Sequence, residues 1–264
     1  MVENSSRSGS TMLSSTINET YEIQRILDVT PRVNRPRIML QIGASEGGLA
    51  QRFAARGWEV FAFEANPLYR AQLEERQALK GLHLYNLAIA TEERDQVTFY
   101  VSQNHTGIGS LKKFHPTHQA IEVPATTLRK FYAENGITAI DYFMIDAEQM
   151  DLKIMETHDW SIPISALLME CGIGSIGEIC DFILSRVPSY RHIVFCWQKP
   201  TGACGEQGVC VGKMDSKAFM NMPRNCFGNV LFYQYPFREQ VMHVARTVKQ
   251  RIPILGKIPL RRRP

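Results

Sequence analysis

What this 264-residue chain lacks limits it before any motif is read. No run approaches the roughly 18 to 20 uncharged apolar residues that a bilayer-spanning helix needs. Its first residues are rich in serine and hold no apolar export-signal core, which predicts a cytoplasmic protein. No cysteine precedes Cys171, and the six that follow (Cys171, Cys180, Cys196, Cys204, Cys210 and Cys226) include no C-x2-C pair. Reduced thiols are therefore expected rather than a disulfide framework or a zinc site. No internal repeat is visible, and no module interleaves aromatic with basic residues, so nucleic-acid binding is not expected. Acids are missing from one stretch as well. Between Arg246 and Pro264 stand seven basic residues and no Asp or Glu.

What is present is ordinary for a folded enzyme-sized domain. Hydrophobic residues make up 44% and charged ones 21%, enough for a full core. The chain divides into a polar leader over residues 1–18, one domain over 19–245, and a basic tail over 246–264. The tail mixes its bases with Ile252, Ile254, Leu255 and Ile258, and the net charge is +4. Peripheral contact with an anionic membrane and simple solubilisation are both open readings of it. A short capped helix is expected near Asn18–Leu27, stopped by Pro31 and Pro36.

Within the domain, apolar strands alternate with helical stretches. Strands are expected at Ile38–Ile42, Trp58–Phe63, Leu82–Ala90, Gln96–Val101, Ile121–Val123, Ile140–Asp146, Ala166–Glu170, His192–Trp197 and Val230–Tyr235. Helices are expected at Leu49–Arg56, from Pro67 to Leu79, behind Thr127 as cap, and over Ile176–Ser185. That alternation predicts an α/β fold, a mainly parallel sheet with helices on both faces. Ligands of such sheets bind outside the carboxyl ends of the strands. Gly43, Glu64, Asp146 and Glu170 all stand at such ends.

The first strand runs into Gly43-Ala-Ser-Glu-Gly-Gly48, and the next ends on Glu64. A dinucleotide loop wants a second glycine where Ser45 stands, so that a pyrophosphate can lie on the backbone. Glu46 beside it would repel a diphosphate. A nucleoside ligand without phosphates suits the loop better, with Glu64 accepting hydrogen bonds from two ribose hydroxyls. S-adenosylmethionine meets that description. An NAD-dependent oxidoreductase stays open on the strand–turn–helix–strand pattern alone.

Several blocks together resemble the FkbM family of S-adenosylmethionine-dependent methyltransferases, from about Ile38 to Gly172. They are Ile42-Gly-Ala-Ser-Glu-Gly47, Val60-Phe-Ala-Phe-Glu-Ala-Asn-Pro67, Asn86-Leu-Ala-Ile89, Gly109-Ser-Leu111, Thr126-Thr-Leu128 and Ile140-Asp-Tyr-Phe-Met-Ile-Asp-Ala-Glu148. The resemblance implies the class I methyltransferase fold, a Rossmann-like three-layer sandwich whose seven-stranded sheet ends in an antiparallel strand. It also implies O-methylation, often of sugars, so the expected partner is a small-molecule or glycan acceptor. Cofactor contacts are expected from Gln41, Gly43, Ala44, Ser45, Glu64, Ala65, Asn86, Ala88, Ile89 and Asp146. The chain departs from the family pattern at Gln41 (usually an acid), Gln149 (usually glycine), Asp151 (usually Glu) and Arg129 (usually Asp). Gln41 can still hydrogen-bond the amino-acid end of the cofactor, without charge pairing. A non-catalytic adenosyl-ligand binding protein is the alternative these departures motivate.

Methyl transfer to a hydroxyl needs two reactants held in line and one proton removed. Asp146 is the first candidate base, unless it contacts the cofactor's amino group. His105, in the loop Asn104–Ser110, is the second by its pKa class. His115 and His118 are lesser candidates, as base or metal ligands. Asp146, Glu148 and Glu170 on one rim can instead hold Mg²⁺. Trp160 and Trp197 are expected in the core rather than stacked on a sugar.

Overall fold

The computed structural model describes residues 30, 33–102, 106–190, 192–198, 207–212 and 227–234. The expected helix at Asn18–Leu27, His105, Cys204, Cys226 and the basic tail lie outside the described residues. Five parallel strands form the centre of the main sheet: β1 (Ile38–Ile42), β2 (Glu59–Phe63), β3 (Leu82–Tyr85), β7 (Ile140–Ile145) and β8 (Ile164–Gly172). β9 (His192–Gln198), β10 (Gln207–Gly212) and β11 (Phe227–Tyr233) complete it in the order β10-β9-β11-β8-β7-β1-β2-β3. β11 runs antiparallel between β8 and β9. The sheet has eight strands rather than seven, because β10 adds an antiparallel edge to β9. Its Gly- and Cys-containing sequence reads as loop.

The central strands are apolar in nearly every position, as burial of a parallel sheet on both faces requires. Alternation sends Leu40, Ile42, Phe61, Phe63, Phe143, Ile145, Leu167 and Met169 into one large core. Helices α3 (Leu128–Asn135), α4 (Asp151–Glu156) and α5 (Ile173–Arg186) contribute Phe131, Ile154, Ile179 and Ile183 to it. On the other face α1 (Gly48–Ala54) seats Phe53 against Tyr142 and Trp58, with ring centroids 5.5 and 5.0 Å away. α2 (Arg70–Arg76) follows a single 3-10 turn over Pro67–Tyr69, and buries Leu73. Thr127 caps α3 as expected, its side chain accepting from the Lys130 N–H. Trp160 packs edge-on against His158 and Phe182, and both Trp160 and Phe182 pack against the large core. Among the described residues no helix is long and apolar enough to cross a membrane.

The run Leu82–Ala90 is not one strand. It breaks at Asn86-Leu87, and β4 (Ala88–Ala90) leaves the main sheet to pair with β6 (Gln119–Thr127) and, through it, β5 (Gln96–Val101). This small sheet has its own core of Ala88, Phe99, Val101 and Val123, with Ala65 and Leu111 packed against it. It stands beside the carboxyl ends of β1 and β2.

At the opposite end the sheet is fastened by one acid. Asp141 on β7 is 2% exposed and accepts from the Ile38 N–H at 2.8 Å and from the Arg35 guanidinium at 2.6 Å. Replacing it leaves the half-buried Ile38 N–H without its acceptor, while the exposed Arg35 guanidinium can turn to water. Asp141→Ala is expected to lower unfolding stability by about 1–3 kcal/mol, read from the denaturant midpoint, with Asp141→Asn losing less.

Candidate functional site

Three strand ends meet where Ile42 gives way to Gly43. The N–H groups of Gly43 and Ala44 both donate to the Phe63 carbonyl at 2.9 Å, and Asp146 N–H donates to Ile42 O at 3.0 Å. Gly43 has φ +79°, and a Cβ there would lie 1.9 Å from the Asp146 carbonyl oxygen. No other residue fits. These ends open into a cleft of about 270 Å³, floored by Ile42, Gly43, Asp146 and Ala147. Leu87, Ala88, Ile89, Phe99 and Leu111 supply apolar lining.

Glu64 stands at one side of the cleft, only 8% exposed. Its two carboxylate oxygens accept from Ser45 N–H and Asn66 N–H, both at 2.7 Å. Burial raises its proton affinity, while those two N–H groups oppose the rise. Each oxygen keeps a lone pair free for a ligand hydroxyl. Ser45, where a dinucleotide loop carries its second glycine, adopts φ +50°. Asn86 does not line the cleft. Its side-chain amide donates to the Glu64 and Asn66 carbonyls at 2.7 and 3.3 Å, and its oxygen accepts from Arg70 Nε. It therefore braces the turn that presents Glu64.

The sequence candidates separate cleanly. Gly43, Ser45, Glu64, Ala65, Ala88, Ile89, Asp146 and Glu148 line the cleft. Ala44 is buried behind it. Gln41 is 3% exposed on the α1 face of β1, opposite to Ile42, and its Oε1 has no partner among the described residues. His118 lies in the loop between β5 and β6, stacked on Tyr100, with Nε2 2.8 Å from the Ile108 carbonyl. His115 Nδ1 pairs with the Thr117 hydroxyl at 2.8 Å. Neither histidine lines the cleft.

Carboxyl groups gather around Asp146. Asp146, Glu148 and Glu170 each place one oxygen within 4.8 Å of the others. Asp151, the first residue of α4, faces the same group and accepts from the Ala147 N–H at 3.1 Å. Burial and mutual repulsion push Glu148 and Asp151 up to about 7, and Glu170 up to about 10. Asp146 and Glu170 are hydrogen-bonded to each other, and burial raises the proton affinity of both, so the pair holds a proton at neutral pH. Glu148 and Gln149 follow at φ +47° and +72°, so the turn carrying Glu148 is left-handed twice over. Asp151 and Gln149, named from the sequence only as departures from the family pattern, both stand at this carboxylate group.

Two consequences are measurable. Glu170 binds its proton far more tightly folded than unfolded, so the stability that proton confers is full below about pH 4.3 and lost as pH rises. Glu170→Gln keeps a donor toward Asp146 without that penalty. Its melting temperature should match the wild type near pH 4.5 and exceed it at pH 8, by a gap worth at least about 1 kcal/mol. Gln149→Gly removes a left-handed residue costing about 1–2 kcal/mol while loosening the unfolded chain by about 0.4–1 kcal/mol. A net gain of about 0.5–1 kcal/mol in chemical denaturation is expected.

Comparison with solved structures returns low-identity matches. One is precorrin-6y C5,15-methyltransferase from Geobacter metallireducens, 10% identical, with a TM-score of 0.44, covering 88% of this chain and 95% of that one. Another is a SAM-dependent methyltransferase from Agrobacterium tumefaciens, 11% identical, TM-score 0.43, covering 86% of this chain and 64% of that one. A comparison with curated protein sequences finds no match. The model of the methyltransferase FkbM domain matches residues 41–194, more than half of the chain. That span runs from Gln41 through every carboxylate of the cleft. The chain belongs to the FkbM methyltransferase family, and it is an S-adenosylmethionine-dependent methyltransferase.

Proposed function

We propose that the enzyme methylates a hydroxyl of a small-molecule or glycan acceptor, with Glu148 receiving the proton. The observation that carries this reading is the position of Glu148 on the cleft wall, with a proton affinity near neutrality. A base poised near the working pH combines the right ionisation state with a useful driving force.

The residues present suit the cofactor. Glu64 would hold the ribose hydroxyls, Leu87, Ala88, Ile89 and Phe99 would cover the adenine, and the glycine turn would admit the amino-acid end. When bound, S-adenosylmethionine supplies a methyl carbon on a sulfonium, and transfer leaves the C–S electron pair on sulfur. On the protein side, Glu148 takes the acceptor's O–H proton as the new O–C bond forms. Asp146, on the cleft floor, stays hydrogen-bonded to Glu170, the pair holding a proton between them. Among the described residues no Lys, Arg or His lines the cleft, so nothing basic neutralises these carboxylates. A cationic cofactor meets an anionic floor.

Gln41 gives no support to a binding-only role, because its side chain lies on the far face of the sheet. Mg²⁺ is the other occupant that the Asp146, Glu148 and Glu170 trio would accept. The basic tail would bring the enzyme to anionic membranes, a proposal resting on its composition alone.

A screen of hydroxylated acceptors, sugars and glycoconjugates included, with isotope-labelled methyl donor tests the reaction class. Methyl transfer only to amines or carbon acids would sink it. Glu148→Gln should lower kcat by about 10²- to 10⁴-fold and leave cofactor affinity unchanged. Glu64→Gln should do the reverse, weakening cofactor binding by about 10-fold or more. Activity lost in EDTA and restored by Mg²⁺ would give the trio to a cation instead of a proton.

A further inference from the structure

The loop between β5 and β6 walls one side of the cleft through Gly107, Gly109 and Leu111. Residues 106–118 of this loop are held by several contacts. Ser110 pairs with Tyr100 through both main-chain groups, at 2.8 and 3.0 Å. Gly109 lets the loop lie on Phe99, since a Cβ there would sit 2.8 Å from the ring. His118 meets the Ile108 carbonyl. None of these contacts reaches the main sheet.

The Ser110 side chain does. Its hydroxyl donates to the Glu148 carbonyl at 2.7 Å while accepting the Lys112 N–H at 3.0 Å. Ser110 is 1% exposed, so water cannot take its place. The carbonyl it holds belongs to the left-handed pair Glu148-Gln149, a conformation that L-residues keep only when their surroundings impose it. On the other side of the same turn the Asp151 carboxylate holds the Ala147 N–H. The turn is thus gripped once by α4 and once by the loop.

We propose that Ser110 is a positioning residue for methyl transfer, tying the loop that walls the cofactor cleft to the backbone that aims Glu148. The inference rests on Glu148 being the proton acceptor. It makes closure of the cleft and placement of the base one arrangement: a displaced loop releases the turn, and the carboxyl leaves its aim. The charged groups facing Glu148 are Asp146 behind β7, Asp151 on α4 and Glu170 on β8. A released turn would move Glu148 away from them, toward water and the ordinary carboxylate range.

The test compares Ser110→Ala, Ser110→Cys, His118→Ala and Glu148→Gln in the full chain, by steady-state kinetics from pH 5.5 to 9 with cofactor titrations. Cysteine keeps the side chain's size with a weaker donor, and serves if the alanine variant does not fold. For both Ser110 variants kcat is expected to fall about 10- to 100-fold. KM for the cofactor should stay within about threefold, and the acidic limb of the pH–rate profile should move to lower pH. His118→Ala, which loses the contact to Ile108 but leaves the Ser110–Glu148 hydrogen bond in place, should raise KM without moving that limb. Wild-type kcat and limb in both Ser110 variants, beside an impaired Glu148→Gln, would overturn the role of Ser110 alone. An equal limb shift in His118→Ala would assign the effect to loop disorder and overturn it too. A fully active Glu148→Gln with an unchanged limb would instead remove the proposed base.

Discussion

The site depends on how closely two backbones approach at Gly43. With only 1.9 Å between a hypothetical Cβ and the Asp146 carbonyl, the ends of β1 and β7 touch without side chains between them. The same residue and its neighbour Ala44 donate to Phe63 O, which draws the end of β2 into the contact. Glu64 and Asp146, 82 residues apart in sequence, come to line one cleft for that reason. A side chain at Gly43 would wedge β1 from β7 and separate them. The sheet sets which strands are neighbours; the glycine sets how near their ends come.

That geometry concentrates features that stability alone would avoid. Ser45, Glu148 and Gln149 are the three non-glycine residues with positive φ among the described residues, and all three border the cleft or its carboxylate side. Each costs about 1–2 kcal/mol relative to ordinary backbone. Four carboxyl groups share one partly buried volume, and three of them hold their protons near or above neutral pH. Strain and like charge at one place mark a site held in shape by its surroundings rather than by local preference. Desolvated carboxylates with no basic residue lining their cleft among the described residues suit a ligand that brings positive charge with it.

Much of this was legible in the residues. Parallel strands buried on both faces leave long apolar runs, so β1, β2, β7 and β8 and the acids at their ends could be read directly. Glu64, Asp146, Glu148 and Glu170 fell on one rim because a parallel sheet puts all carboxyl ends on one side. Other features left no comparable mark. The break at Asn86 is a single polar residue inside an otherwise mostly apolar run, so β3 and β4 read as one strand. α4 is six residues long, too short to show a helical period. β10 is paired by its neighbour rather than by any preference of its own. Asp151 and Ser110 act through backbone groups, and hydrogen bonds to main-chain atoms depend on tertiary placement that no spacing rule encodes.

The departures from the family pattern acquire different weights once placed. Gln41 stands where an acid is usual, yet its side chain points to the α1 face and is buried there, so its missing charge is not missing from the cleft. What it leaves instead is an orphan oxygen in the core, a matter of stability. Gln149 stands where glycine is usual, at φ +72°, and there the departure bears on the site directly. A glycine would adopt that angle freely and would let the turn relax into other conformations as well. Glutamine adopts it only under the joint hold of Asp151 and Ser110. The turn beneath Glu148 is therefore one whose shape comes from its partners, which is why a serine on the neighbouring loop can influence a carboxyl group it does not touch.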